Sequence, residues 1–367
     1  MKIASIVLNH FRNYETLQLA LDEHLTILYG ENGQGKTNIV EAIYLCATGK
    51  SHRTSKESEL LKFGSETFDV FLRLEKENYP REIEIKWNAE HKKQITINEI
   101  PIMKMGELIG TLNVVLFAPE DMAIVKEGPA NRRRFLDIAY CQIKNSYFYH
   151  LQQYGKILKN RNAILKNISL TGKENDTLAV WNESLADVGS KIVLERVRFV
   201  AQLSGLVNKW HCALSDEKEN LVMSYDGTFF VAETDELVQI KERFLEKLEM
   251  SYKKDVALQT TTVGPHRDDF LLLLDGKEIR HFGSQGQQRT AVLALKLAEV
   301  DVMISETGEM PVLLLDDVLS ELDRKRQELL LNSVKGIQTV ITCTNKDMIK
   351  IKDKNVRFFE VKNGQIQ

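Results

Sequence analysis

The chain has 367 residues, of which 43% are hydrophobic and 28% are charged, and its formal net charge at pH 7 is −3. This size suits one large globular domain or two ordinary ones. The small negative charge excludes a polycation, so nucleic acid would have to be held by local basic patches. The sequence has no run of about 18 apolar residues, which predicts no membrane span. Polar residues interrupt the N-terminal segment too early for a secretory leader, so we expect a cytoplasmic protein.

The predicted elements change in character along the chain. Short apolar runs predict strands in the first third, at residues 3–8, 25–29, 68–74, 81–87, 94–97 and 112–117. A helix is expected over residues 36–47. Amphipathic helices follow, at residues 130–165, 176–213 and 235–253. Strand character returns near Thr260, at residues 270–274, 312–315, 339–342 and 357–361.

This order predicts an α/β fold with a mixed sheet and an inserted helical lobe. We expect the first lobe to contain residues 1–118 plus 262–367, and the second lobe to contain residues 119–261. The four cysteines form no Cys-x-x-Cys pair. That favours small buried side chains in a reducing compartment over zinc ligands or a catalytic thiol.

A glycine-rich loop follows the second predicted strand. It matches the pattern Gly-x-x-x-x-Gly-Lys-[Ser/Thr] in full, with the residues Gly30, Glu31, Asn32, Gly33, Gln34, Gly35, Lys36 and Thr37. Glycine lets backbone N–H groups wrap a phosphate, and the next helix directs its positive dipole end at the anion. We expect an ATP site in which Lys36 contacts the β- and γ-phosphates and Thr37 is a ligand of Mg²⁺. The alternative is a surface turn with an incidental lysine, which the flanking strand and helix disfavour.

An acidic pair ends a later apolar strand. Asp316 and Asp317 follow four apolar residues, and the carboxyl end of a buried strand faces a nucleotide crevice in α/β sheets. We expect Asp316 to hold Mg²⁺ and Asp317 to orient or deprotonate the attacking water. Acids also favour strand ends and helix caps, so this interpretation depends on the phosphate loop.

A third segment, Ser284-Gln285-Gly286-Gln287, forms a turn before a predicted helix. Its N–H groups would make a second anion site. The turn resembles the signature motif of ABC-type ATPases, which usually has a glycine where Gln285 stands. The resemblance implies a head-to-tail dimer, in which Ser284, Gly286 and Gln287 contact the γ-phosphate held by the other copy.

Two other segments resemble the same class. Residues 320–323 (SELD) resemble the D-loop, which crosses the dimer interface. Thr344 stands where many relatives carry a switch histidine. Thr344 or a neighbour is expected to contact the γ-phosphate through its hydroxyl, which would make γ-phosphate sensing weaker or different.

Over its whole length the chain resembles the RecF family of bacterial DNA replication and repair proteins. The matching segments are residues 8–14 (LNHFRNY), 30–43, 49–53 (GKSHR), 116–121, 128–137, 264–269 (GPHRDD), 284–289 and 315–323. The resemblance implies an ABC- and SMC-like ATPase head and an ATP-dependent homodimer. It implies binding to duplex DNA and single-strand junctions, with weak, DNA-stimulated hydrolysis that releases the DNA. It also implies partnership with RecO and RecR in loading RecA at gaps.

The resemblance extends to residues outside the three motifs. It implies that Arg12, Asn13 and Asn38 lie near the bound nucleotide, with a capped strand turn as the alternative for the first two. Arg53 resembles an arginine that relatives turn toward nucleotide or DNA, and the alternative is a solvated loop charge. His266 and Arg267 are expected in a structural hydrogen-bond network.

Clustered cations are the candidates for anion contacts. Three arginines at residues 132–134 open a predicted helix, which indicates a bound anion, an acidic partner, or an internal salt bridge to Asp137 or Glu120. The candidate DNA contacts, which could equally be a solvated face, are Lys50, Arg53, Lys56, Lys62, Lys104, Lys156, Lys159, Arg161 and Lys166.

Two other functions compete with the DNA clamp. A transporter motor usually carries Asp-Glu and a switch histidine, so Asp316-Asp317 and Thr344 argue against it. A scaffold in which ATP only holds a dimer together stays open at this stage.

Overall fold

A computed structural model describes residues 1–21, 24–76, 79–173, 175–215, 219–346 and 356–366. The chain divides into two compact units. We call residues 1–121 with 299–367 the sheet unit, and residues 122–298 the helical unit. In the described part of the chain, no helix has both the length and the apolar character that a bilayer crossing requires.

The elements are numbered in chain order. The N-terminal part of the sheet unit contains β1 (Lys2–Phe11), β2 (Tyr14–Ala20), β3 (Leu25–Tyr29), α1 (Lys36–Thr48), β4 (Thr67–Lys76), β5 (Tyr79–Asn88), β6 (Lys92–Ile97), β7 (Ile100–Pro101), α2 (Met105–Leu108) and β8 (Val114–Phe117). The helical unit contains α3 (Met122–Lys126), α4 (Pro129–Ile143), α5 (Asn145–Thr171), α6 (Thr177–Ser215), β9 (Leu221–Asp226), α7 (Leu237–Leu258), β10 (Asp269–Leu274), β11 (Lys277–Glu278) and α8 (Ile279–Phe282). The remaining elements are α9 (Gln285–Thr307), β12 (Val312–Asp316), α10 (Arg324–Ser333), β13 (Thr339–Cys343), β14 (Val356–Lys362) and β15 (Gln365–Ile366).

The sheet unit is built from two sheets. One has the order β2-β1-β4-β5-β6-β7 and is antiparallel. The other has the order β15-β14-β3-β13-β12-β8, in which β14 through β8 run parallel and β15 is antiparallel. The apolar side chains of α1 share one hydrophobic core with both sheets. All five residues of β12 are buried, as expected for a central parallel strand.

The register of the parallel sheet brings three strand ends together. Asp316 at the end of β12 pairs with Thr342 of β13, and Cys343 pairs with Tyr29 of β3. The residues that follow β3, β12 and β13 therefore emerge at the same edge. This is the edge where the phosphate loop and the acidic pair were expected.

The middle of the chain differs from the prediction. The helix expected over residues 130–165 is two helices, because α4 ends before Lys144 and α5 starts after it. The sequence did not indicate β9, which pairs antiparallel with β10 in a separate three-stranded sheet. As a result, the residues from 262 to 298, which were expected in the first lobe, belong to the helical unit. The change of unit falls within α9.

Candidate nucleotide-binding site

The phosphate loop connects β3 to α1 in the sheet unit. Gly30, Gly33 and Gly35 have positive φ angles of 148°, 80° and 116°, which L-residues with a side chain rarely adopt. At Gly35 a Cβ atom would lie 2.6 Å from the side-chain Nδ2 of Asn13, so glycine is also required by space. The loop thus has the backbone shape that turns consecutive N–H groups toward an anion.

Lys36 opens α1 with its ammonium folded over the loop. Its Nζ donates hydrogen bonds to the carbonyl oxygens of Gly30, at 2.6 Å, and Glu31, at 2.7 Å. Burial lowers the pKa of Lys36, and the nearby Asp317 carboxylate opposes that shift. The two carbonyls satisfy donors of the ammonium without neutralising its charge. A partly desolvated cation beside a cradle of N–H groups suits a polyphosphate.

Asp316 joins the loop to the neighbouring strand. Its Oδ1 accepts hydrogen bonds from Thr37 Oγ1, at 2.9 Å, and from Thr342 Oγ1, at 2.6 Å. The residue is 4% exposed, and burial raises the pKa of its carboxyl group. A hydroxyl and a carboxylate beside a phosphate loop are the oxygen ligands that Mg²⁺ uses together with phosphate and water. The pair Thr37 and Asp316 fits a magnesium ion on this chemistry.

Asp317 has an unusual backbone and an unpaired oxygen. Its φ is +52°, a left-handed conformation that costs a non-glycine residue about 1–3 kcal/mol. Its N–H donates to Thr342 Oγ1 at 2.9 Å. Its carboxylate Oδ1 is buried and has no hydrogen-bond partner among the described residues. A buried acceptor without a donor fits the expected role of holding a water molecule.

Thr342 is the site residue that sequence reasoning missed. One hydroxyl fixes both acids, because it donates to Asp316 and accepts from the N–H of Asp317. The signal was present as a hydroxyl at the last position of the predicted strand 339–342. Without the strand order, that hydroxyl could not be assigned to the neighbour of β12.

Asn13 and Arg12 hold the loop from the side of β1 and β2. Asn13 Nδ2 donates to the carbonyl of Gln34 at 2.8 Å, and Asn13 Oδ1 accepts from Asn38 Nδ2 at 2.8 Å. The guanidinium of Arg12 makes two bonds to the buried Glu41 of α1, at 2.8 and 2.6 Å. These contacts position the loop and α1, and direct contact with the nucleotide stays a prediction. Arg53 joins the same group, since its Nη1 donates to Asn38 Oδ1 at 3.1 Å.

Two further predicted segments of the sheet unit are Thr344 and the D-loop, residues 320–323. Thr344 directly follows β13, whose last residue is level with the residue before the phosphate loop. Its contact with a γ-phosphate stays a prediction. In the segment 320–323, Asp323 caps α10, because its Oδ1 accepts from the N–H of Arg326 at 3.0 Å.

The signature turn, residues 284–287, lies in the helical unit at the start of α9. Ser284 N–H donates to Gln287 Oε1 at 2.7 Å, and Gln287 N–H donates to Ser284 Oγ at 3.2 Å. This is a reciprocal cap of the helix start. Ser284, Gln285 and Gly286 are exposed. The turn therefore presents a hydroxyl and the first N–H groups of a long helix, and its contact with phosphate stays a prediction.

One candidate DNA contact is placed differently from the prediction. We expected Arg161 on an exposed basic face, and this is wrong, because the residue is fully buried. Its Nη1 donates to Asp255 Oδ2 at 2.9 Å and to Thr261 Oγ1 at 2.7 Å. On the same helix, Lys156, Lys159 and Lys166 are exposed.

Two of the three clustered arginines, Arg132 and Arg133, also have internal partners. Arg132 pairs with Asp269 through two bonds of 2.7 and 2.8 Å, rather than with Asp137 or Glu120. The structural network expected around His266 is confirmed, since its Nδ1 lies 2.8 Å from Tyr154 OH and its Nε2 lies 3.0 Å from the carbonyl of Thr261. All four cysteines are free thiols, of which Cys46, Cys141 and Cys343 are buried and Cys212 is partly buried.

Comparison with known proteins places these features in a family. The family described as "RecF/RecN/SMC N terminal domain" matches residues 2–367. A DNA replication and repair protein RecF of Ruminiclostridium cellulolyticum is 48% identical over 368 residues, which cover 100% of this chain and 99% of that protein. The RecF protein of Alkaliphilus oremlandii is 44% identical over 367 residues and the whole of both chains. This chain belongs to the RecF family.

Solved structures agree with the expected fold. A structure described as the recombination mediator protein RecF with ATP in the RecFOR pathway has a TM-score of 0.93 and 38% identity, and covers 100% of this chain and 97% of that one. An Smc head bound to the C-winged helix domain of ScpA has a TM-score of 0.57 and 15% identity over 100% of this chain and 96% of that one, which shows a shared fold alone. The predicted ABC/SMC-like head, with a mixed sheet and a mostly helical second part, is confirmed for this RecF-family chain.

Proposed function

We propose that this chain is an ATP-dependent DNA-binding protein of recombinational repair and replication restart. ATP and Mg²⁺ close two copies into a head-to-tail homodimer that holds duplex DNA and single-strand junctions. Slow, DNA-stimulated hydrolysis releases the DNA. With RecO and RecR, the dimer promotes the loading of RecA at gaps in the cytoplasm. Support comes from the names of the relatives and from a structural neighbour that is described with ATP in the RecFOR pathway.

The observation that best supports an ATP site is the grouping of Lys36, Thr37 and Asp316 at the phosphate loop. In the proposed complex Lys36 Nζ turns from the carbonyls that it now contacts, 2.6 and 2.7 Å away, to the β- and γ-phosphates. Thr37 Oγ1 and the Asp316 carboxylate are the groups that would hold Mg²⁺. When bound, that ion neutralises charge on the β- and γ-phosphate oxygens.

Hydrolysis is assigned to Asp317. Its unpaired Oδ1 accepts a hydrogen bond from a water molecule and takes the proton as the water oxygen attacks the γ-phosphorus. The bond between the γ-phosphorus and the bridging oxygen breaks, which leaves ADP and phosphate. The hydrogen bond from its N–H to Thr342 keeps Asp317 in place during this step.

A second copy of the chain is proposed to supply further hydrogen-bond donors to the γ-phosphate. The loop and the acids lie at one edge of the sheet unit and contact the phosphates from that side in the proposed complex. Ser284, Gly286 and Gln287 of a partner copy are proposed to reach the γ-phosphate with one hydroxyl and the N–H groups at the start of α9. ATP therefore joins two chains that each hold half of the site.

Loss of the loop cation tests the nucleotide site. Lys36→Ala is expected to abolish ATP binding in a titration that follows ATP affinity at equilibrium, because the phosphates lose their buried cation. The matched control is Lys191→Ala, since Lys191 is a surface lysine that pairs with Asp187 at 2.8 Å in the helical unit. Wild-type ATP affinity in Lys36→Ala would sink the proposal.

A separate experiment tests whether ATP controls DNA binding. DNA binding is measured against salt concentration on duplex, gapped and single-stranded substrates, with and without ATP. We expect ATP to raise affinity for duplex and gapped DNA, and salt to weaken binding because phosphate contacts release counterions. The same affinities with and without ATP on every substrate would contradict an ATP-gated clamp.

A further inference from the structure

The side chain of Gln287 in the signature turn is held at both ends. Its Oε1 accepts from the N–H of Ser284 at 2.7 Å. Its Nε2 donates to Glu219 Oε1 at 2.8 Å. Glu219 precedes β9 and lies 68 residues earlier in the chain. The amide of Gln287 therefore has one defined orientation, and Glu219 is the group that distinguishes its nitrogen end from its oxygen end.

Glu219 is itself fixed to the end of α6. Its Oε2 lies 3.0 Å from Nε2 of His211, a fully buried residue of that helix. A carboxylate only accepts hydrogen bonds, so Nε2 of His211 carries the proton. The backbone is held as well, because the carbonyl of Glu219 accepts from Cys212 Sγ at 3.5 Å. The carboxylate of Glu219 is thus a rigid bridge between α6 and the signature turn.

We infer that Glu219 is a positioning residue for the signature turn, which it orders for the ATP phosphate held by a second copy of this chain. The inference rests on the proposed head-to-tail dimer. If the amide of Gln287 rotated by half a turn, its NH₂ group would face the N–H of Ser284. Two donors would then meet, and the reciprocal cap at the start of α9 would be lost. Glu219 excludes that state because it accepts only from the nitrogen end.

The ordered turn leaves the Ser284 hydroxyl able to donate to a phosphate oxygen. In the ordered turn, Ser284 Oγ accepts from the N–H of Gln287 at 3.2 Å. Its own proton is then directed away from that N–H and is available to a phosphate oxygen. Ser284 and Gly286 are exposed, so an anion can reach both. His211 and Glu219 thereby order the phosphate donors in advance of dimer formation, which lowers the entropic cost of forming the dimer.

A purely structural role for Glu219 predicts a different outcome. Its side chain is 23% exposed, so water can reach the place of the carboxylate when it is removed. We therefore expect its removal to change dimer formation more than folding. The amide of glutamine keeps an oxygen acceptor for Gln287, and its NH₂ group can donate to Nε2 of His211 once the imidazole proton is on Nδ1. Glu219→Gln should therefore retain the orientation that Glu219→Ala loses.

The test measures two quantities on the full-length chain. These are ATP affinity at a protein concentration too low for dimers, and the dimer dissociation constant with ATP and Mg²⁺ by analytical ultracentrifugation. Glu219→Ala is expected to weaken the dimer about tenfold or more, with ATP affinity at the wild-type value. Glu219→Gln should restore the dimer. Glu183→Ala is the matched control, since Glu183 is a half-exposed carboxylate of α6 that pairs with Lys241 at 2.8 Å.

A double-mutant cycle identifies the route of the effect. In a Gln287→Ala background, Glu219→Ala should add no further loss, because Glu219 acts through Gln287. Additive losses, a wild-type dimer in Glu219→Ala, or a failure of Glu219→Gln to restore the dimer would each overturn the inference. If the wild-type chain forms no dimer with ATP, the proposed function fails and the inference falls with it. If the wild type forms the dimer and Glu219→Ala forms it equally well, the proposed function stands and only the role of Glu219 is wrong.

Discussion

Buried charges are arranged differently at the candidate nucleotide site of the sheet unit and in the core of the helical unit. In the helical unit, Arg161 and Asp255 are both fully buried and pair with each other at 2.9 Å. At the nucleotide site, Lys36 donates its hydrogen bonds to neutral carbonyls although the Asp317 carboxylate is near, and Asp317 Oδ1 has no hydrogen-bond partner within the described residues. Removal of one partner of a hydrogen-bonded buried charge pair destabilises a fold, whereas a buried charged group whose hydrogen bonds do not go to a counter-charge can exchange them for a ligand. The hydrogen-bond partners of these charges therefore distinguish a structural pair from the nucleotide site, independently of the sequence motifs.

This contrast predicts where substitutions act. Changes to the paired charges should reduce the stability of the helical unit and leave ATP affinity of the sheet unit unchanged. Changes to Lys36 and Asp317 should reduce binding or turnover and leave folding unchanged.

The largest expected effect is on folding. Arg161→Ala leaves Asp255 as a buried charge without its counter-charge, so the free energy of unfolding should fall by about 3–5 kcal/mol. Urea denaturation measures the change. Lys159→Ala, an exposed site on the same helix, should stay within about 0.5 kcal/mol of wild type. If Arg161→Ala is as stable as the wild type, the pair of Arg161 and Asp255 is not structural and the contrast with the nucleotide site is wrong.

The pH dependence of the helical unit should follow His266. Burial lowers the pKa of His266 to about 4 in the folded chain, below its ordinary value of about 6.5 when unfolded. The unfolded chain therefore binds the proton first, and stability that is complete above about pH 6.5 is lost as the pH falls toward 4. The loss by pH 4 should be on the order of 3 kcal/mol.

Urea denaturation at several pH values across that window measures this slope. His266→Gln has no titrating ring, so its slope should be flatter than that of the wild type. An identical slope in the two proteins would contradict the assignment to His266.

A smaller effect is expected on turnover in the sheet unit. Asp317→Asn should lower ATP hydrolysis by about a hundredfold, because the water loses its base. Asparagine tolerates the left-handed backbone at this position, so folding and ATP affinity should be retained. Glu328→Gln, on the exposed face of α10, is the carboxylate-to-amide control. An unchanged hydrolysis rate in Asp317→Asn would favour a scaffold in which ATP only holds the dimer.

The sequence predicted the sheet unit better than the helical unit, for a physical reason. Lys36 and Thr37 belong to one continuous loop, and Asp316 follows a continuous apolar strand, so local patterns were sufficient. Thr342 and Glu219 act across 26 and 68 residues, and only the folded chain shows those contacts. β9 was missed because its pairing with β10 joins segments that are far apart in the sequence.

Arg161 is a case in which the sequence did carry the signal. The buried residues of α5 include Tyr154, Ile157, Leu165 and Ile168. Arg161 lies at the same helical spacing, four residues from both Ile157 and Leu165, and so on the buried face. Its charge was given more weight than its position, although a buried arginine with a carboxylate partner is a stable arrangement.

The central claim is that ATP completes its site across two copies of the chain. Size measurement with ATP and Mg²⁺, in the absence of DNA, tests it most directly on wild type and Ser284→Arg, with Ser169→Arg, an exposed site of α5, as the control. We predict a dimer for wild type and the control. Ser284→Arg should bind ATP with wild-type affinity and remain a monomer. An equal proportion of dimer in Ser284→Arg would show that the signature turn does not meet the ATP of a second copy.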